Sequence, residues 1–237
     1  MDARRLQYLK ALDIDVWRRR DGAEPIVESK SAGLSAVPES GVATATAAAN
    51  LDWTALESAV RGCTLCELSK TRTQTVFGVG DRAAQWMVIG EAPGADEDRE
   101  GEPFVGRAGQ LLTSMLQAMG LKREQVFIAN ILKCRPPGNR DPKPEEVAHC
   151  MPYLQRQIEL VNPRLILCVG RIAAQNLLKT DTPIGKLRGQ LHRLPGTERP
   201  VVVTYHPAYL LRSPGEKRKA WADLVFAMNT AEGLASA

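Results

Sequence analysis

Beyond residue 84 the chain alternates compact apolar runs with stretches of helical periodicity. The runs are residues 85–90 (QWMVIG), 126–132 (VFIANIL), 165–170 (LILCVG) and 201–206 (VVVTYH). They are short, rich in β-branched residues and nearly continuous in apolar character, as strands buried on both faces are. Residues 108–119 (AGQLLTSMLQAM), 144–160 and 171–178 carry the helical pattern between them. Strand–helix–strand order predicts an α/β fold of three layers, α/β/α, around a central four-stranded parallel sheet. Ligands of such sheets bind at the carboxyl ends of the strands. Those ends here are Glu91-Ala92-Pro93-Gly94, Asn130, Gly170 and His206-Pro207, which are expected to converge on one cleft.

The first 50 residues read differently. Residues 1–21 are basic and amphipathic, with Leu6, Leu9, Leu12 and Val16 at helical spacing and Arg18, Arg19 and Arg20 closing the segment. An isolated stripe of that kind has to dock on something. Residues 29–50 hold seven Ala and four Ser in 22 positions and no aromatic residue, so residues 22–50 read as a flexible linker. The folded domain is expected over residues 51–230, with 231–237 as a short tail.

Composition narrows the class. With 44% hydrophobic residues among 237, the chain is not disordered throughout, and no apolar run approaches the roughly 20 residues that cross a bilayer. Charges interrupt the N-terminus, which excludes a secretory signal. The net charge of +4 is compatible with a polyanionic partner without requiring one. Five cysteines in a chain of cytosolic character point to ligation before disulfides.

Candidate chemistry lies in four places. Cys63 and Cys66 form a C-x2-C pair, Cys134 follows the second strand, and Cys150 comes 16 positions later. Such a set suits a [4Fe–4S] cluster or a structural zinc, which spacing does not separate. Cys168, inside a strand, reads as a core residue, and His149 as a surface histidine, although it is an alternative ligand. The loop GEAPGADEDREGEPFVGRAGQLL (90–112) contributes small residues for close backbone approach. Its carboxylates Glu91, Asp96, Glu97, Asp98, Glu100 and Glu102 should be mostly solvated, with one carrying a task. Phe104, in a polar loop, favours stacking on a ligand. Asn130 in an apolar strand presents one donor and one acceptor side by side, able to read an imide edge. His206 at a strand end is placed as an electrophile or proton donor. Tyr209, Leu210 and Leu211, set among Arg212, Lys217, Arg218 and Lys219, suggest either a wedge that unstacks a duplex or the first turn of an inward-packing helix.

Taken together, GEAPGADEDREGEPFVGRAGQLL, NILKCRPPGNRDP and HPAYLLR resemble, in order, the family 4 uracil-DNA glycosylases of the iron–sulfur type, over about residues 51–230. The resemblance implies a [4Fe–4S] cluster with a structural role on Cys63, Cys66, Cys134 and Cys150. It also implies a uracil pocket of Glu91, Ala92 and Pro93 (mainly backbone), Phe104, Asn130 and His206. Uracil in DNA would be flipped out and its N-glycosidic bond hydrolysed. Leu210 or Leu211 would fill the gap, and Arg135, Arg140, Arg212 and Lys217 would contact phosphates. Ala92 cannot hold the attacking water, so Glu97 is the candidate for that role together with His206 in catalysis. No lysine lies at an expected strand end, which implies a glycosylase without lyase activity. A monomer in the bacterial cytoplasm, associated with the nucleoid, would fit. Residues 1–21 resemble the start of the psi subunit of the polymerase III clamp loader, through Arg4, Arg5, Leu9, Leu12, Ile14 and Trp17, and imply the chi subunit as a partner. Two other readings are a non-catalytic iron–sulfur module that binds nucleic acid and a zinc-stabilised hydrolase of a free nucleotide. The former leaves unexplained why an Asn and a strand-end His should face one cleft.

Overall fold

A computed structural model describes residues 48–235 of the chain. The amphipathic segment 1–21 and the linker up to residue 47 lie outside the described residues. The elements are α1 (Trp53–Arg61), β1 (Val79–Gly80), β2 (Trp86–Gly90), α2 (Ala95–Glu100), α3 (Arg107–Ala118), β3 (Phe127–Asn130), α4 (Pro144–Val161), β4 (Leu165–Val169), α5 (Arg171–Leu178), α6 (Ile184–Leu187), β5 (Leu191–Arg193), β6 (Pro200–Thr204), α7 (Pro207–Arg212) and α8 (Lys217–Ala235).

The sheet has six strands in the order β1-β3-β2-β4-β6-β5. Its four central strands, β3, β2, β4 and β6, are parallel, as the apolar runs require, while β1 and β5 add antiparallel edges. The expected count of four is therefore corrected to six. The edge strands escaped because they are two and three residues long and partly exposed, so neither carries an apolar run.

Alternation along the central strands divides the core in two. Met87, Ile89, Ala129, Ile166, Cys168, Val201 and Val203 face one side, where Val147, Leu154 and Ile158 of α4 and Ala173, Ala174 and Leu177 of α5 cover them. Val88, Ile128, Leu167, Val169 and Val202 face the other, under Leu112, Met115 and Leu116 of α3 and Ala220, Leu224 and Ala227 of α8. These are the three layers. Ala48, Leu56 and Val60 pack on Tyr153 of α4, so the folded unit begins a few residues before 51. At the other end α8 runs to Ala235, and the seven-residue tail expected from 231 is largely its last turns.

From β2 the chain passes to β3 on one side and to β4 on the other, so the order reverses at β2. The carboxyl ends of the central strands flank that switch point, where open α/β sheets form crevices.

Candidate functional site

A cleft of about 410 Å³ opens at the carboxyl ends, lined by Glu91, Ala92, Pro93, Gly94, Glu97, Phe104, Asn130, Arg140, Asp141, His206, Tyr209 and Arg212 among others. Its floor is the paired ends of β2 and β3, where Gly90 lies opposite Asn130. Glycine is needed there, because a Cβ would run into Asn130 Oδ1 and stand 2.6 Å from Phe104 Cζ. The Asn130 side chain is buried, and its Oδ1 has no hydrogen-bond partner among the described residues. A buried, unmatched acceptor costs about 1–3 kcal/mol, so its natural complement is a donor brought by a ligand.

Phe104 is buried with a left-handed backbone, φ 56°, a conformation that needs outside support. Two braces supply it. Glu97 accepts the Val105 and Gly106 N–H groups on Oε1 (3.0 and 3.3 Å) and the Gly94 N–H on Oε2 (3.0 Å). Arg123 donates to the Pro103 carbonyl (2.5 Å). The Phe104 ring lies 5.6 Å from that of His206, centroid to centroid, with 29° between the planes.

His206 caps α7, its Nδ1 accepting the Ala208 N–H at 3.1 Å. A neutral ring with Nδ1 as acceptor carries its proton on Nε2. Burial, reinforced by Arg212, pushes the imidazole down to about 4, so the ring is neutral at physiological pH. Gly170, at φ 100° where β4 ends, gives His206 room: a Cβ there would lie 3.0 Å from the His206 Cβ. Glu91 is displaced the other way. Burial and the charge of Asp141, opposed by Arg171, push its carboxyl up to about 7.

The four expected cysteines are all free thiols. The Cys134 sulfur accepts from Arg72 Nη1 at 3.0 Å, and the Tyr153 hydroxyl, the Leu68 N–H and the Lys133 N–H lie beside Cys63, Cys66 and Cys150. Burial raises Cys66, Cys134 and Cys150, the last to about 12, so ligation must release their protons. Among the described residues no three His, Cys, Asp or Glu side chains form a set that could hold one metal ion.

Comparison with known proteins identifies this architecture. The family profile described as the Uracil DNA glycosylase superfamily matches residues 77–225. The type-4 uracil-DNA glycosylase of Archaeoglobus fulgidus is 50% identical over 161 residues, covering 65% of this chain and 81% of that protein. The chain belongs to the type-4 uracil-DNA glycosylase family. The type-4 relative from Pyrobaculum aerophilum is 42% identical over 180 residues (73% of this chain, 92% of the relative), and that from Thermotoga maritima 44% over 155 residues (65% and 80%).

Within this type-4 framework the structure gathers Glu91, Ala92, Pro93, Glu97, Phe104, Asn130 and His206 at one cleft, and it revises four sequence expectations. Glu97 was expected to activate water, but both its oxygens are engaged by main-chain donors, which makes it the brace of the Phe104 loop. Leu210 was expected as a wedge; it is 1% exposed and packs in the core beneath α7, whereas Tyr209 and Leu211 are exposed. Arg140 was expected on phosphate; its guanidinium is locked in a two-pronged pair with the buried Glu146, which also caps α4 through the Lys143 N–H. Arg135 bonds Asn139 through Nε, while Arg212 and Lys217 are exposed. Finally, a lysine does lie just past a strand end. Lys133 is 1% exposed with Nζ bonded to Asn130 O (2.9 Å) and Gln157 Oε1 (2.6 Å), directed away from solvent.

Other residues were not singled out from sequence: Arg123, Arg72, Tyr153 and Lys133, each with at least one partner distant along the chain. Nor is the acidic run simply solvated, since Asp98 is buried and accepts the Thr73 N–H on both oxygens. No helix among the described residues is long and apolar enough to cross a membrane.

Proposed function

We propose that this chain excises uracil from DNA by hydrolysing the N-glycosidic bond, the first step of base excision repair. The observation that carries the reading is the buried Asn130 Oδ1, unmatched, in one cleft with the face of Phe104 and the protonated Nε2 of His206. Uracil supplies the complement: its N3–H to Oδ1, its O4 to the Asn130 amide, its ring face to Phe104 and its O2 to His206. To reach the cleft the nucleotide leaves the stack, at a cost of a few kcal/mol that is least for a mismatched or single-stranded base. Tyr209, which lines the cleft, and the exposed Leu211 are the candidates to fill the gap, and Arg212, Lys217 and Arg135 are the candidates for phosphate contacts. As the bond breaks, negative charge develops on uracil O2. A neutral Nε2–H aimed at it stabilises the leaving anion without being consumed, worth about 3–4 kcal/mol where such a donor is preorganised. Water completes the hydrolysis; Lys133 is buried and no lysine among the described residues lines the cleft, so excision without strand cleavage by a lyase step is the expectation.

Cys63, Cys66, Cys134 and Cys150 would hold a [4Fe–4S] cluster. An all-sulfur donor set free of disulfides suits a cluster and a structural zinc alike, and the resemblance to the iron–sulfur type of glycosylase supports the cluster. The cluster's contribution is structural, tying the segment after α1 to the end of β3 and to α4. The protein acts as a cytoplasmic monomer on nucleoid DNA, and the resemblance of residues 1–21 to psi supports tethering to the chi subunit. A pull-down of chi that survives deletion of residues 1–21 would remove that tether.

An end-labelled oligonucleotide with a single uracil, treated with protein and then alkali, tests the activity. Cleavage at the uracil only after alkali is expected, and Asn130→Asp is expected to weaken the choice of uracil. An intact strand refutes the proposal.

A further inference from the structure

Arg188 and Asp223 form an ion pair sunk behind the end of β6, with side chains 11% and 3% exposed. The guanidinium that closes α6 grips the carboxylate of α8 with both prongs, Nε on Oδ2 at 2.7 Å and Nη2 on Oδ1 at 2.9 Å. Oδ2 also accepts the hydroxyl of the buried Thr204, the last residue of β6, at 2.8 Å. The same guanidinium lies over the Tyr205 ring, 4.1 Å from its centroid. A buried ion pair is often no more stabilising than an apolar pair of similar volume. The informative feature is its place, since it touches the two residues immediately before His206.

Residues 204–206 are each tied to a different partner. Thr204 is fixed on its backbone by the Gly170 N–H, which donates to its carbonyl at 2.9 Å, and on its side chain by Asp223. The Tyr205 ring meets Arg188 and, with 5.0 Å between centroids, the ring of Tyr209 in the cleft wall. The His206 Nδ1 bond runs to the Ala208 N–H inside the same short helix, so it sets the rotation of the ring without fixing where α7 begins. Apart from the Phe104 ring beside it, the height of the imidazole above the sheet is left to residues 204 and 205.

Resting on the reading of His206 as the donor to uracil O2, we propose that Arg188 and Asp223 are positioning residues for the excision step. Together they hold Thr204 and Tyr205, and through them aim Nε2 of His206 at the oxygen on which charge develops. Neither touches the base. A two-pronged grip combined with an aromatic contact is a geometry that lysine does not reproduce. Because the donor is needed most in the transition state, loosening the clamp slows bond breaking and spares affinity.

The test is a double-mutant cycle on the full chain, with Arg188→Met made alone and together with His206→Ala. Single-turnover release of uracil from a single-stranded oligonucleotide gives the rate. The dissociation constant of the same oligonucleotide carrying an uncleavable 2′-fluoro deoxyuridine gives the affinity. Arg188→Met alone is expected to slow release about tenfold, part of the roughly hundredfold that a 1 Å misplacement costs, with affinity held within about twofold. Added to His206→Ala, the same change is expected to slow release less than about twofold, because no donor remains to be aimed. Equal slowing in both backgrounds overturns the proposal and leaves His206 its role. An unchanged rate in Arg188→Met overturns it too, as does a loss of affinity as large as the loss of rate. A rate unaffected by His206→Ala overturns the donor reading and the clamp together. If Arg188→Met does not fold with Asp223 buried and unpaired, Arg188→Met with Asp223→Leu replaces the ion pair by apolar groups and is read in the same cycle.

Discussion

Lowering the pH through the ordinary range of histidine separates a neutral electrophile from a charged acid at position 206. The ring has Nδ1 committed to the Ala208 N–H and is pushed down to about 4 by burial and by Arg212. Against an ordinary value of 6.5, holding the ring at about 4 amounts to about 3 kcal/mol against charging it. At pH 5.5 an imidazole at 6.5 would retain about a tenth of its neutral form, whereas one near 4 would retain nearly all of it. Single-turnover release of uracil, measured between pH 4.5 and 8.5, therefore gives a difference of about tenfold at pH 5.5. Glu91, near 7, titrates in the same window, so the measurement belongs in Glu91→Gln. A rate that holds to about pH 5 is expected; a rate that falls tenfold per unit from 6.5 would falsify the neutral-donor mechanism. Stability gives an independent reading. Since the unfolded chain binds the His206 proton between about 4 and 6.5 and the folded chain does not, stability rises with pH across that window.

Glu91 contributes with the opposite sign: its folded value is raised from 4.5 to about 7, so stability falls as pH rises through that window. Glu91→Gln should raise stability at pH 8 by about 1–2 kcal/mol after allowing for solvent screening, with no gain at pH 4, and denaturant titrations at both pH values check this. Leu210→Ala should cost about 2–5 kcal/mol of stability while Leu211→Ala costs little. On substrates the order reverses: Leu211→Ala should slow excision from duplex more than from single strands, and equal slowing would remove the wedge. Gly90→Ala should abolish binding of uracil-containing DNA while leaving the circular dichroism of the fold intact, because the added methyl meets Asn130 and Phe104; retained affinity would contradict the packed floor.

Much of this was legible in sequence where burial imposes a pattern. Four strands covered on both faces appear as apolar runs, and the helices between them keep a single apolar stripe, so the cleft at the strand ends follows from order alone. The short elements were not legible. Helix α2 (ADEDRE) has no apolar period, and a six-residue helix such as α7 gives too few turns to tell Leu210, which faces inward, from Leu211, which does not. Charges were hardest to read. Arg140 and Glu97 look from sequence like phosphate-binding and catalytic groups and Lys133 draws no notice, and their partners Glu146, the loop N–H groups and Gln157 with the Asn130 carbonyl assemble only in the fold. Spacing specifies ligands on one helix or loop; it does not specify which buried charge meets which distant acceptor.

The grip on the base is tested most directly by a crystal of the iron-loaded protein soaked with free uracil. The expected result is uracil lying on Phe104, with N3–H on Asn130 Oδ1 and O2 facing His206 Nε2. Uracil bound elsewhere, or with its imide edge turned to solvent, would contradict the account.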